Sequence, residues 1–503
     1  MEETLSIALL LAQSAATGVK ERAHELIAES RANIARLEAQ IKDLESLRAR
    51  EYNIIAALQL ITAPVRALPN ELLGKIFTVA LERRTGDELW GASIKDVLVL
   101  TQVCSRWRQA ALSTPQLWVR RLPLISEKRP GEVLTTATKV FLERSAPLPV
   151  PVSLGSGNSP GYDPGAGALA PPMDALFAVP QRWLALTLPI ESLAALAEAA
   201  TESLTALEAL DLRGTTGGET KHHPHTNIFL SAMHLRRLTL WHVQNIDTFP
   251  VSWSQITTLA LADESPKACL EIILRCTNLV SATLNMSGWP QSVAPSLTDA
   301  EVVTLEHLTS FEIHISNTSS DEHFTPFLQR LNLPSLVSLK MYGEYHSGVI
   351  TWSTAAFTMF QLRSPLIERL QIDHCALTSE DLQAVVRHST NVTHLEVYNC
   401  SNCIDDAFLH VLRYTQFDPV PLAPKLEVLR LSSLRCDFDE SSLEDVVESR
   451  WWTEDELLAM PSPPAVARLT NVEYASSRKF SRKFEKRMRV YRAEGLEFRT
   501  MVS

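Results

Sequence analysis

The feature that most constrains this chain is a short phrase, apolar-x-x-apolar-x-apolar, which returns throughout the sequence after Trp183. It stands at Leu207/Leu210/Leu212, Leu235/Leu238/Leu240, Ile256/Leu259/Leu261 and Leu279/Ala282/Leu284. It continues at Leu308/Phe311/Ile313, Leu336/Leu339/Met341, Ile367/Leu370/Ile372, Val392/Leu395/Val397 and Leu426/Leu429/Leu431. Weaker copies occur at Trp183/Leu186/Leu188 and Leu469/Val472/Tyr474, and the nine clear copies are spaced 21 to 34 residues apart. Helical faces lie between them. Thr378-Ser379-Glu380-Asp381 suits a helix start, and Leu382, Val385 and Val386 follow on one side; Ile404, Phe408, Val411 and Leu412 do the same one unit later. A unit of this size buries its apolar face only by stacking on its neighbours. The pattern therefore predicts an α/β solenoid, a parallel strand ladder with helices, as one continuous core instead of the three domains suggested by 503 residues. Nine strands about 4.8 Å apart would span roughly 40 Å.

One copy runs further, as Ile367-x-x-Leu370-x-Ile372-x-x-Cys375-x-Leu377, and Cys400 takes the same ninth place in the next copy. With its period, this resembles the leucine-rich repeat. Most other copies lack the Asn or Cys of the longer pattern.

Ahead of the repeats stands a different signature. Leu68-Pro69-Asn70-Glu71-Leu72-Leu73-Gly74-Lys75-Ile76-Phe77 is an amphipathic helix with proline setting its entry, and Leu72, Leu73, Ile76 and Phe77 fall on one face. Val99, Val103 and Trp107 recur every four residues, around Val103-Cys104-Ser105-Arg106-Trp107-Arg108. These phrases resemble the F-box, the adaptor-binding module of Skp–cullin–F-box ubiquitin ligases, from Leu68 to about Leu112. The Arg83–Ile94 connection is longer than in the shortest F-boxes. The resemblance implies that Leu68, Pro69, Leu72, Ile76, Phe77, Val103 and Trp107 form the adaptor-facing surface or its support. Ile61–Leu72 and Phe141-Leu142-Glu143-Arg144-Ser145 also resemble phrases of the F-box families expanded in mushroom-forming fungi.

From Lys20 to Leu60 there is neither proline nor glycine, and apolar residues follow a heptad. Ile27, Ile34, Ile41 and Ile55 share one position and Leu37, Leu44 and Leu58 the other, interrupted by Ser30, Arg48 and Glu51. Two readings stand open: a helix packed back onto the F-box, and a coiled coil through which residues 20–60 self-associate. Leu5–Ala12 is apolar, but it follows Glu2-Glu3 instead of basic residues and is too short to span a bilayer, so neither secretion nor a membrane is expected. The sequons at Asn285, Asn317 and Asn391 are then expected to stay unmodified.

Little in the chain suggests catalysis. Ser145–Met173 is dense in Pro and Gly and reads as a short edge strand followed by a flexible loop over 155–172. Gly157-Asn158-Ser159-Pro160-Gly161 fits the Gly-x-Ser-x-Gly elbow, yet the residues after it prevent the helix that elbow requires. Cys400-Ser401-Asn402-Cys403 lacks the second pair a closed zinc site needs, and His222-His223-Pro224-His225 sits in a Gly/Thr-rich loop. No cofactor, metal or enzymatic activity is expected. Seven scattered cysteines fit a reducing compartment, cytoplasmic or nuclear, better than a disulfide framework. A net charge of −11 argues against a chain-wide nucleic-acid binder. At the C-terminus, acids between Asp437 and Glu456 precede bases between Arg478 and Arg492, where Phe480, Phe484, Met488 and Tyr491 make an apolar stripe. This predicts a capping helix over 476–495.

The sequence thus predicts three parts: a long helix over 1–62, an F-box over 63–125 and the repeat array over 126–503. The resemblance implies a substrate receptor that links a Skp-type adaptor, and through it a cullin, to a protein held by the repeats. A scaffold that uses the repeats alone is the alternative. Between the inward residues of each strand, others face the concave side of the ladder. They are Asp211, Arg213, Arg237, Trp241, Glu312, His314, Lys340, Tyr342, Arg369, Asp373, Glu396, Tyr398 and Arg430. Aromatic and arginine side chains dominate interface hot spots, so Trp241, Lys340, Tyr342, Arg369 and Tyr398 are the expected contacts to a partner protein.

Overall fold

From Thr17 to Thr62 the backbone is one α-helix of 46 residues (α1), as a proline-free heptad stretch predicts. The computed structural model describes residues 17–82, 94–119, 131–153, 173–190, 193, 196, 204–214, 227–243, 246, 249–287, 302–316, 325–343, 350–400, 403–416, 420–433, 438–460, 462–476 and 480–502. The 155–172 loop, the Gly157–Gly161 pattern, Leu5–Ala12, Asn317 and His222–His225 lie outside these residues. Residues 1–77 and 78–503 form two compact units. In the first, α1 leads through a turn of 3-10 helix at Pro64–Arg66 into helix α2 (Asn70–Glu82). Along α1, Ile27, Ile34, Leu37, Ile41, Leu44, Leu47, Ile54, Ile55, Leu58 and Ile61 are exposed.

The second unit begins within α2, at Thr78, and continues with α3 (Ile94–Val103), α4 (Ser105–Leu112) and α5 (Gly131–Ser145). Trp118 ties them together. It is buried, its Nε1 donates to the Ala111 carbonyl at 2.8 Å, and its ring meets Phe141 edge-on at 6.1 Å under the Arg144 guanidinium. Arg182 then fastens the end of α5 to the sheet, donating to the carbonyls of Leu142 and Leu148 and to the Ser145 hydroxyl.

Among the described residues a sheet of thirteen parallel strands follows, paired in sequence order, beside two small two-stranded sheets that join Val303–Thr304 to Leu331–Asn332 and Ile350–Thr351 to Cys375–Ala376. The thirteen are β1 (Val150–Ser153), β2 (Trp183–Pro189), β3 (Ala209–Arg213), β4 (Arg237–Trp241) and β5 (Thr258–Glu264). Next come β6 (Ser281–Ser287), β7 (Ser310–Ser316), β8 (Ser338–Gly343) and β9 (Arg369–Asp373). The last are β10 (His394–Tyr398), β11 (Val428–Ser433), β12 (Asn471–Ser476) and β13 (Glu497–Val502). All eleven copies of the phrase, weak ones included, become strands. Their second apolar residues form one buried row from Leu186 through Leu210, Phe311 and Leu395 to Val472, and their third form another from Leu188 to Tyr474. Thirteen strands at about 4.8 Å make a ladder of roughly 58 Å. Threonines reinforce it: the hydroxyls of Thr257, Thr309, Thr393 and Thr470 each donate to a carbonyl of the preceding unit.

Several local expectations are refined. Helix Ser379–His388 begins with the reciprocal box of Thr378 and Asp381 and buries Leu382, Val385 and Val386. In helix Asp406–Leu412 the inward residues are Phe408, Leu409 and Leu412, while Val411 turns outward. Cys375 and Cys400 are buried, and the Cys375 N–H donates to the Cys400 sulfur at 3.4 Å. Cys403, also buried, is directed at the Cys400 carbonyl at 3.6 Å, so this Cys-x-x-Cys packs into the repeat. Arg450 is wholly buried and donates to the carbonyls of Leu412 and Ala423, each at 2.9 Å, and of Leu422. Burial lowers its pKa to about 10.

The basic C-terminal helix runs over Arg482–Ala493, burying Phe484 and Met488, and Arg487 pairs with Glu444 of helix Glu440–Ser449. It is not the last element. Gly495 turns the chain at φ 110°, a conformation that glycine reaches without a Cβ clash, and β13 joins the sheet. Among the described residues, no helix is long and apolar enough to cross a membrane.

Candidate functional site

The helix after Pro69 divides its apolar residues between two faces. The Pro69 carbonyl accepts the first helical bond from the Leu73 amide at 3.1 Å, so the proline stands at the entry, where its missing N–H costs nothing. Leu73, Phe77 and Leu81, spaced by four, are 1%, 2% and 4% exposed. Leu72, Ile76 and Val79 point outward, at 47%, 49% and 44%. The single face expected for Leu72, Leu73, Ile76 and Phe77 is thus two faces, one in the core and one in solvent. Leu68 is half-buried and Pro69 exposed.

A second outward row lies on α3, where Leu98, Val99 and Val103 are exposed while Val97 is fully buried. The four-residue repeat Val99, Val103, Trp107 does not continue along one helix. Cys104 is extended (φ −158°, ψ 168°) and ends α3; its sulfur accepts from the Trp107 amide at 3.5 Å and caps α4. Trp107 therefore belongs to a new helix and is half-buried. Thiols are weak caps, and the periodicity gave no sign of this break. Among the described residues these two rows leave six large apolar side chains exposed.

The strand face that alternates with the buried rows carries the other candidate residues. Register places Tyr342, Asp373 and Tyr398 side by side on β8, β9 and β10, with His314 next to Tyr342 on β7. Lys340 lies in the adjoining row, and Arg369 stands one row further on β9. Trp241 is on β4, four strands from Tyr342 and thus roughly 19 Å away. It is 41% exposed, with the Arg213 guanidinium 6.0 Å above its ring. The five expected contacts are a cluster of four and one separate residue.

Carboxylates missing from that set of five hold the cluster together. Glu312 accepts from His314 at 2.7 Å and pairs with Lys340 at 3.6 Å; Glu396 accepts from the Tyr398 hydroxyl at 3.1 Å and from Arg430 at 3.0 Å. Arg430 also pairs with Glu473 at 3.7 Å. The bond from His314 holds the Glu312 carboxyl below its ordinary range. Burial, with Glu312, Asp373 and Glu396 nearby, pushes the Tyr342 phenol up to about 12. Burial and the bonded Glu396 carboxylate move Tyr398 upward too, so both phenols are neutral donors at physiological pH. The surface offers flat rings, hydroxyl donors and charges of both signs, which suits a polypeptide.

Residues 65–122 match the F-box-like family model. That match spans both outward apolar rows. A crystal structure of a Bacteroides fragilis protein from a structural genomics consortium is similar over 64% of this chain and 74% of its own, at 12% identity and a TM-score of 0.32.

Proposed function

We propose that this protein is a substrate receptor of an SCF-type ubiquitin ligase, in which the F-box-like domain takes a Skp-type adaptor and the strand face takes a protein substrate. One observation carries it: an F-box-like match over residues 65–122 that coincides with helices presenting Leu72, Ile76, Val99 and Val103 to solvent. F-box domains typically bind Skp-type adaptors, and a cullin joins through the adaptor. Burying one such side chain is worth about 1.5–3 kcal/mol, less the costs of association. The recurring phrase and its ninth-place Cys375 and Cys400 support a leucine-rich-repeat solenoid. Ile61–Leu72 and Phe141–Ser145 support a place among the fungal F-box families. A ligase of this kind works in the cytoplasm or nucleus, and the receptor supplies recognition, not chemistry.

Co-expression of the full chain with a Skp-type adaptor tests the reading. A stable one-to-one complex that is lost with Leu72→Asp is the expected result. A folded chain that never captures the adaptor would leave the alternative, a scaffold acting through the repeats alone.

A further inference from the structure

We infer that α1 pairs with the α1 of a second copy of this chain as an antiparallel two-stranded coiled coil centred near Ile41. A helix of 46 residues is about 69 Å long. Ile27, Ile34, Leu37, Ile41, Leu44, Leu47, Ile54, Ile55, Leu58 and Ile61 are all large, apolar and 42% exposed or more. Helices gain most of their stability from packing such a face, and this one is uncovered. At on the order of 90 Å² for each half-exposed side chain, the seven from Ile27 to Ile54, Ile55 aside, would bury roughly 630 Å² per helix, about 1,260 Å² for the pair, at the lower end of specific interfaces.

The spacing of the exposed residues identifies the partner. A strict heptad forces Arg48 into the seam and strands Leu47, Ile54 and Ile61 outside it. The exposed residues instead follow Ile27, Ser30, Ile34, Leu37, Ile41, Leu44, Leu47, Glu51, Ile54, Leu58 and Ile61. The steps alternate between three and four, except for two successive threes around Leu44, the three-residue insertion that locally overwinds a coiled coil. Arg48 then leaves the seam, and only Ser30 and Glu51 are polar within it. Parallel in-register pairing would set Glu51 against its own copy, a like-charge layer. Reversal about a point beside Ile41 sets Ile27 against Ile54, Ile34 against Leu47 and Leu37 against Leu44, with Ile41 beside its own copy. Ser30 then meets Glu51, so the two polar positions face each other and no carboxylate faces a carboxylate. A surface that matches itself on reversal is a two-fold, isologous interface.

Sedimentation of the full chain at micromolar concentration tests the pairing. The expected mass is twice 56.0 kDa, returning to the single-chain value in an Ile34→Asp/Leu47→Asp variant whose far-ultraviolet spectrum still shows the folded sheet. A wild type that stays monomeric at 50 µM, or a variant that stays dimeric, overturns the proposal. Orientation is read separately by oxidising mixed Ile34→Cys and Leu47→Cys chains, with linkages mapped on peptides because Cys104 is also exposed. A 34-to-47 link is expected. Self-linking of Leu47→Cys alone would show a parallel pair and sink the antiparallel assignment.

Discussion

The imidazole of His314 lies flat against the phenol of Tyr342, ring centroids 4.4 Å apart and planes 12° from parallel, while its Nε2 bonds Glu312 at 2.7 Å. One carboxylate therefore fixes the ring that supports the tyrosine. Glu312 titrates below its ordinary value of 4.5 when folded, so its stabilising contribution is full above that value and lost as pH falls through the lowered one. Glu312→Gln is expected to melt below wild type at pH 7, with the gap closing as pH falls below 4.5. Thermal melts of both proteins across pH 3–7 check this; a gap that widens on acidification would contradict the sign.

The two faces of α2 predict opposite phenotypes. Ile76→Asp, in solvent, is expected to leave the melting temperature within about 2 °C of wild type and to weaken adaptor binding at least about tenfold. Phe77→Ala, in the core, is expected to cost about 3–5 kcal/mol of stability. Calorimetric unfolding and adaptor titration on both variants separate the two effects.

Arg450 makes a third test. Its guanidinium satisfies three carbonyls from the Leu412–Ala423 segment, and alanine would leave these without their charged donor. The expected loss is about 3–5 kcal/mol. Hydrogen exchange should show the loss concentrated in helix Asp406–Leu412 and β11, with β2 to β6 still protected.

The fourth concerns the partner. Tyr342→Ala with Tyr398→Ala is expected to release substrates that Trp241→Ala retains, because Trp241 lies four strands away. Proximity labelling with each variant, each checked for intact folding, decides it; equal loss from both would join the two places into one surface.

The strands were legible because burial on one face forces a fixed spacing. Leu210 and Leu212 must point inward, and every copy of the phrase repeats that requirement. β13 was hidden, since Phe498 stands there without the leucines that mark the other strands, behind a helix that resembles a cap. The outward turn of Leu72 and Ile76 was not separable from the inward turn of Leu73 and Phe77, because adjacent apolar pairs give one period and two faces. The Cys104 break was invisible for a related reason: its cap is made by a sulfur and a backbone amide, neither of which alters the apolar pattern. Glu312 and Glu396 went unselected because their value lies in neighbours 28 and 34 residues away in sequence, Lys340 and Arg430.

Each strand of the sheet bonds only to the strand before it and the strand after it in sequence. The chain can therefore be assembled in the order in which a ribosome delivers it, every new strand finding its template already in place. No strand of this sheet has to wait, apolar and unpaired, for a template that has not been synthesised, which is the exposure that makes long-range sheets slow to form and prone to aggregate.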